Sequence, residues 1–327
     1  MKTSKYRNSV IAIIVLSIIV FFVPQLVSSY IMNVLIVGVC TYLCVMSVYV
    51  LLGLCGQNSF AQAGLWGVGG YITANMTLKL GLAPIPSMLI SVLGTALLCF
   101  LLGFAFFRLR EYYFTFATIG LMTILNSLFT NWNEVTGGAI GMKDIPDFGA
   151  LGMVFTNDRQ YLYLYFGIAA IVFLLMKVLF NSALGRSFMA IRDNEIAANC
   201  MGVNSLLTKS IAFGISGALC GLAGAMYAFY AGYLSYPTFT YNQSTLYLVM
   251  LMLGGTASPI GAVIGSMVII LMQEWLRPLQ EVMMFIYGIG IIVLMIFQPE
   301  GILGGVKTLY AKHKSGKKAD ITAQGNL

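Results

Sequence analysis

The side chains that usually perform chemistry are almost absent from the apolar parts of this sequence. Its 11 Asp and Glu residues lie at the edges of apolar runs, in loops or in tails, and the single histidine, His313, lies in a basic C-terminal tail. General acid–base catalysis and metal-assisted hydrolysis need such groups gathered in one site. We therefore expect neither an intramembrane enzyme, nor a metal site, nor a proton relay at membrane depth.

The sequence also contains no nucleotide-binding loop. No stretch matches G-x-x-x-x-G-K-[ST], whose backbone amides would cradle the phosphates of ATP. No cofactor bound by this chain is expected, and the energy for any active transport must come from another chain. The cysteines sit mostly in apolar runs without paired metal-ligand spacing, so we interpret them as small buried residues and not as disulfides. They are Cys40, Cys44, Cys55, Cys99, Cys200 and Cys220.

Polar side chains interrupt one apolar run in the first quarter of the chain. Residues 53–74 read GLCGQNSFAQAGLWGVGGYITA. The polar amides and the hydroxyl in this run are Gln57, Asn58, Ser59 and Gln62. At membrane depth, such side chains either join helices or line an aqueous route. Spacing alone favours helix–helix contacts.

A second stretch, residues 182–203, is too polar to span a membrane and reads SALGRSFMAIRDNEIAANCMGV. Its helix-forming residues predict a helix that ends at Gly202 and places Arg192, Glu195 and Asn199 on one face. One interpretation is an amphipathic linker lying at the membrane interface. The other is a short docking helix that fits an apolar cleft of a partner protein.

The composition indicates a protein embedded in lipid. Of 327 residues, 59% are hydrophobic and only 9% are charged, with a mean hydropathy of +0.88, whereas soluble domains are roughly 25% charged. The net charge of +7 is not gathered on a surface suited to nucleic acid. The 35 glycines include the pairs Gly217/Gly221 and Gly261/Gly265, whose spacing predicts close helix packing.

Apolar runs of roughly 20 residues predict about ten helices that span the membrane wholly or in part. They lie near residues 10–28, 31–52, 57–78, 87–107, 114–130, 161–180, 208–233, 243–254, 260–274 and 282–298. The first run resembles a signal peptide, but no A-x-A-like cleavage site follows it, which favours an uncleaved span. The fold class expected is an all-α integral membrane protein.

Most of the 18 basic residues fall on one side of this arrangement, which the positive-inside rule makes cytoplasmic. Both termini then lie in the cytoplasm. Residues 1–306 form the predicted transmembrane domain, with a cytoplasmic loop at 181–207 and an external loop at 131–160, and residues 307–327 form a basic tail. The break GGTASPIGAVIG, between the two short segments of residues 243–274, is interpreted either as a pathway lining or as a tight turn between tilted helices.

Read together, these stretches resemble the permeases of bacterial ABC importers for branched-chain amino acids, specifically the M-type permease subunit, over nearly the whole chain. GQNSFAQAGLWGVGGY, RLREYYFTFATIG and TGGAIGM are similar to motifs of the first half of that family. GRSFMAIRDNEIAANCMGV is similar to its coupling loop, LGGTASPIGAVIG to its late glycine-rich break, and FQPEGILGG to its closing signature. Glu111, Ala257 and Ala262 depart from the residues common in the family.

The resemblance implies an ABC importer permease bundle in the bacterial plasma membrane that works by alternating access. It implies a paralogous permease subunit as partner, two cytoplasmic ATPase subunits that hydrolyse the ATP, and an extracytoplasmic substrate-binding protein. It also implies a helix that docks on the ATPase. The residues carried over to that helix are Arg186, Arg192, Asp193, Glu195, Ala197, Ala198 and Gly202.

An amino acid with an aliphatic side chain needs an apolar route with polar groups for its charged ends. The candidates for lining that route are Gln57, Asn58, Ser59, Thr115 and Thr118. A permease for urea or short amides is an alternative, because its subunits resemble this family closely. An ion-coupled carrier or a channel is a further alternative from a different class, since backbone carbonyls at broken helices can bind sodium.

Overall fold

The computed structural model describes residues 28–108, 111–150, 153–275 and Gly288. The predicted spans near residues 10–28 and 282–298 lie almost wholly outside the described residues, as does the basic tail 307–327. The count of ten spans and the cytoplasmic position of both termini therefore stay predictions.

Helices make up almost all of the described structure. The helices are α1 Ser29–Val48, α2 Gln62–Leu78, α3 Pro84–Phe106, α4 Glu111–Asn131, α5 Asp158–Asn181, α6 Ala183–Asp193, α7 Glu195–Cys200, α8 Ser205–Ala231, α9 Tyr241–Gly254 and α10 Pro259–Trp275. A π-helical turn, Tyr49–Leu54, continues α1, and single turns occur at Asn133–Thr136, Gly138–Ile140 and Tyr236–Thr238. The strands β1, Gly149–Ala150, and β2, Met153–Val154, pair antiparallel.

Five of the described helices are long and apolar enough to cross a membrane, counting α1 with its π-helical turn, and α9 with α10 make a sixth if the bent pair is one span. Each predicted segment between residues 31 and 274 overlaps one of these helices or α2. A long apolar run is sufficient to predict such a helix, because lipid offers no hydrogen-bond partners and the helix satisfies the backbone groups within the segment itself. The chain is a multi-pass membrane protein.

Helix α8 forms the centre of the bundle, where glycines bring it close to α2 and α3. A Cβ atom at Gly221 would lie 2.9 Å from the carbonyl oxygen of Ser91, and one at Gly224 would lie 2.3 Å from that of Trp66. The Ser91 hydroxyl donates hydrogen bonds to the carbonyls of Gly69 (2.7 Å) and Gly221 (3.2 Å). The close packing predicted from the glycine spacing is confirmed for α8.

Helices α9 and α10 meet at a bend of 116°. Gly255, in the turn, has a φ of +108°, which favours glycine. Cβ atoms at Gly254 and Gly265 would lie 1.9 Å from the carbonyl oxygen of Gly261 and 1.8 Å from that of Met250. The glycine-rich break is thus a tight turn between two closely packed helices, the second of the two interpretations of this segment.

The loop that follows α4 is fastened to the segment that follows α8. Met142 and Leu234 exchange backbone hydrogen bonds of 2.9 Å in both directions, and the Ile145 amide donates to the carbonyl of Gly232. The chain then continues to Phe239, which is fully buried against the Trp66 ring at a centroid distance of 4.9 Å. These contacts define one end of the bundle, and α6 and α7 lie at the other.

The glycine contacts predict a large effect for the smallest possible side chain. Gly224→Ala should destabilise the fold by about 1–3 kcal/mol, because its methyl group would press on backbone atoms of α2 that cannot rotate away. The matched control is Gly167→Ala on α5, where a Cβ would have no atom within 4 Å. Thermal unfolding of the purified protein in detergent measures both, and equal midpoints for the two variants would contradict the packing described here.

Candidate functional site

A non-helical segment separates the π-helical turn from α2. Residues 56–61 have no helical structure, and Gly56 has a φ of +72°. Gln57 (5% exposed) and Ser59 (1%) are buried, whereas Asn58 is exposed. Two of the three polar side chains predicted to line a route in this segment thus point into the protein in this structure.

Helix α4 places Thr115 and Thr118 beside this segment. The Thr115 hydroxyl donates to the carbonyl of Asn58 at 3.2 Å. The Thr118 hydroxyl accepts from the amide of Phe60 at 3.2 Å and donates to the carbonyl of Thr115 at 2.8 Å. All five lining candidates therefore meet at one place, although Thr118 is fully buried and serves backbone groups.

Gln62 is a polar residue of the same segment that the candidate set left out. It begins α2, is 0% exposed, and neither amide atom has a hydrogen-bond partner within the described part of the chain. An unsatisfied buried polar group costs about 1–3 kcal/mol. The sequence offers one signal for including Gln62 among the candidates, since it lies three residues after Ser59 in the same polar run.

The stretch at 182–203 is two helices and not the single helix predicted. The backbone of Asn194 is extended, with φ −163° and ψ 107°, and its side chain accepts a hydrogen bond from the amide of Ala197 at 3.0 Å. Asn194 therefore ends α6 and caps the N-terminus of α7. The prediction that Arg192, Glu195 and Asn199 share one helical face is wrong, because the chain turns between the first two.

The end of α7 matches the prediction made for it. Gly202 has a φ of +87°, and its amide donates to the carbonyl of Asn199 at 3.0 Å. The amide of Val203 donates to the carbonyl of Ala198 at 3.1 Å. These two bonds form a Schellman motif, which needs the left-handed residue that glycine supplies.

Helix α7 presents an apolar surface to the outside of the described structure. Ile196 is 78% exposed and Met201 is 85% exposed, and Ala197 and Cys200 are also exposed. We call these four residues the α7 tip. The interpretation of the cysteines as buried is confirmed for the other five and is wrong for Cys200.

The opposite face of the loop is held by charged and polar contacts to the bundle. Glu195 forms an ion pair of 2.7 Å with Lys209, whose side chain is only 6% exposed, and Lys209 lies 5.9 Å from the ring centroid of Phe107. Ala198 is 4% exposed. Glu195 and Ala198, both expected in the docking helix, thus face the protein's own helices.

The arginines of the loop differ in what they contact. Arg186 donates to the carbonyl of Asn181 at 3.1 Å, five residues away in the same loop. Arg192 donates to the carbonyl of Gly53 at 2.7 Å and also pairs with the exposed carboxylate of Asp193 at 3.2 Å. Only the second arginine joins the loop to a distant helix.

The described ranges contain no group of three or more His, Cys, Asp or Glu residues that could hold a metal ion. What they offer is a bundle of apolar helices with an interrupted helix inside it and an exposed apolar tip on a loop outside it. These are features of an integral membrane protein built from closely packed helices.

The chain belongs to the family described as the permease component of the branched-chain amino acid transport system, whose model matches residues 30–296. It is 29% identical over 277 residues to the high-affinity branched-chain amino acid transport system permease proteins LivM of Salmonella typhimurium and of Escherichia coli. It is 25% identical over 191 residues to the autoinducer 2 import system permease protein LsrC of Salmonella paratyphi B. That match covers 55% of this chain and 53% of LsrC.

The matches to the two LivM proteins cover 78% of this chain and 65% of each relative. No solved structure matches the chain.

Proposed function

We propose that this protein is the transmembrane permease subunit of an ATP-driven importer for branched-chain amino acids. The observation that carries the proposal is the family match over residues 30–296, which extends from α1 past the end of α10. The similarity to LivM proteins favours leucine, isoleucine and valine over urea or short amides.

The importer has further subunits. A paralogous permease completes the wall of the passage, two cytoplasmic ATPases hydrolyse the ATP, and an extracytoplasmic binding protein delivers the substrate. The chain has about ten helices that span the bacterial plasma membrane wholly or in part, and both termini lie in the cytoplasm. This chain itself is not an enzyme and binds no cofactor.

The ATPases dock on the α7 tip. A short helix with an exposed apolar face fits an apolar groove of a partner. Exposed apolar side chains that lie next to each other, as in the tip, usually mark an interaction site. Of the other residues assigned to docking by resemblance, Arg192, Glu195 and Ala198 contact the bundle on the side opposite the tip.

The substrate passes along α4. The exposed faces of α3 and α5 are apolar in their central turns, with Leu93 and Leu97 on α3 and Leu174 and Leu175 on α5. These faces suit lipid. The exposed surface of α4 also includes large apolar side chains, which are Phe116, Ile124 and Leu128. It differs from the other two in carrying polar side chains about one helical turn apart, which are Thr123, Ser127 and Asn131. Polar groups on a membrane helix usually face protein or water.

This face begins beside the interrupted segment, where Asn58 is exposed. The packing of this region supports transport by alternating access. Closely packed helices have discrete arrangements and do not deform continuously. The buried Gln57, Ser59 and Gln62 belong to the arrangement seen here, and a second arrangement that moves α2 against α4 would expose them to the passage.

The proposed function is tested by reconstitution into lipid vesicles. Vesicles that contain this protein, its paralogous permease and the two ATPases should take up radiolabelled leucine when the binding protein and ATP are present. Excess unlabelled isoleucine should compete with the leucine, and excess urea should not. Uptake without ATP or without the ATPases would reject the ATP-driven assignment, and competition by urea alone would reject the substrate.

The docking role of the α7 tip is tested by placing a charge on it. Ile196→Asp should reduce the amount of ATPase that copurifies with the permease by about tenfold, because a carboxylate would be buried against the apolar groove. Ile140→Asp is the matched control, since Ile140 is 72% exposed at the other end of the bundle. Bound ATPase should also protect Cys200 from a thiol reagent in the wild-type protein, and equal labelling with and without ATPase would contradict docking there.

The route along α4 is tested by thiol accessibility in a Cys200→Ser background. Cysteines introduced as Thr123→Cys and Ser127→Cys should react with a membrane-impermeant methanethiosulfonate, and leucine supplied through the binding protein should change the rate. Leu175→Cys on α5 is the control and should not react, because that face lies in lipid. Unreactive cysteines on α4 in every state of the transport cycle would show that this face contacts lipid or the partner permease.

A further inference from the structure

The Arg192 side chain is 37% exposed and pairs with Asp193, and its guanidinium group also reaches the bundle. Its Nη1 atom donates to the carbonyl of Gly53 at 2.7 Å, although 139 residues separate the two in sequence. The stem of the side chain packs on Gly56, where a Cβ atom would lie 2.8 Å from Cγ of the arginine and 3.3 Å from its Cα. Gly56 has φ +72°, so both its conformation and this contact favour glycine.

Gly53 lies where three parts of the chain meet. A Cβ atom at this position would lie 2.5 Å from Cδ2 of Tyr49, one turn earlier, and 2.8 Å from the carbonyl oxygen of Thr256 in the turn between α9 and α10. Arg192 bonds to the carbonyl of the same residue. The guanidinium group therefore joins α6 to the end of the π-helical turn at a position that also contacts the turn between α9 and α10.

Only a few residues separate this junction from the interrupted segment. The amide of Gln57 donates to the carbonyl of Leu51 at 2.9 Å, and the amide of Gly56 donates to that of Leu52 at 3.2 Å. These bonds connect the backbone on both sides of Gly53. A displacement applied to the Gly53 carbonyl therefore reaches Gln57 and Asn58 through hydrogen-bonded backbone.

A second contact fixes the loop to a different helix. The ion pair between Glu195 and Lys209 holds the start of α7 against α8, and Lys209 is enclosed by the bundle at 6% exposure. The two contacts lie on either side of Asn194. The loop thus carries the α7 tip on its outer surface, and its inner surface is bonded to the π-helical turn through Arg192 and to α8 through Glu195.

We infer that Arg192 is a positioning residue that transmits movement of the α7 tip to the interrupted segment at residues 56–61, and that it takes no part in holding the ATPase. This inference rests on the proposed function. The arginine suits the role because its planar group donates several hydrogen bonds in fixed directions. A movement of the tip is transmitted through this side chain to the backbone carbonyl of Gly53, which lies next to the interrupted segment.

The experiment compares ATPase binding with the leucine imported per ATP hydrolysed, in vesicles containing the complete importer. Arg192→Gln should retain the ATPases and their ATP hydrolysis but lower the leucine-to-ATP ratio by about tenfold, which is within the range of coupling between distant sites in proteins. Arg192→Lys keeps a donor that can reach a carbonyl and should give an intermediate ratio. Ser187→Ala is the control, since among the described residues that hydroxyl bonds to the carbonyl of Ala183 in its own helix at 3.2 Å.

Gly56→Ala is an independent variant that keeps the arginine but disturbs the glycine on which its side chain packs. It should also lower the leucine-to-ATP ratio while the ATPases stay bound. An unchanged leucine-to-ATP ratio in Arg192→Gln would overturn the inference. It would also be overturned if Arg192→Gln lost ATPase binding while Gly56→Ala and Arg192→Lys kept both the binding and the ratio of the wild type. Failure of the wild-type importer to bind ATPases or to move leucine would instead reject the proposed function, so the two failures are distinguishable.

Discussion

Backbone amides and carbonyls inside a hydrocarbon layer have no water to bond with, so each of them must find a partner within the protein. Helices meet this requirement along most of the chain. Where the chain leaves the helical conformation, after the π-helical turn, neighbouring helices supply the missing partners. Thr118 accepts from the amide of Phe60, and Ser244 accepts from the amide of Ala63 at 2.9 Å. The backbone groups of the interrupted segment need these hydrogen-bond partners, which explains why α4 and α9 lie beside it. It also explains why hydroxyl groups that the sequence predicts to line a passage are buried.

The helices were predictable because apolar length and glycine spacing are local properties. The interruption at Asn194 left a weaker signal. Asn is among the best N-cap residues, but it lies within a run of good helix formers, and the pattern predicted one continuous helix. The contact between Arg192 and Gly53 left no local signal at all, because it depends on how distant helices pack. The same holds for Gln62 and Thr118, whose burial is decided by neighbours from other parts of the chain.

The loop between α5 and α8 combines two surfaces with different physical character. Its outer surface is apolar and exposed, and it is suited to burial against another protein. Its inner surface is charged and is satisfied by a backbone carbonyl and a lysine of the bundle. The sequence of residues 182–203 alone does not reveal this division, since both surfaces lie within a few residues of each other. The cap at Asn194 creates it, by changing the direction of the chain between Arg192 and Glu195.

The antiparallel bridge between Met142 and Leu234 has a practical consequence for handling the protein. A loop of this length between membrane helices is the usual choice for an epitope tag or a fluorescent fusion. Here the loop is bonded to the segment that leads to Phe239 and the aromatic side chains around Trp66. An insertion near Met142 would therefore disturb these bonds and the buried aromatic side chains to which that segment leads.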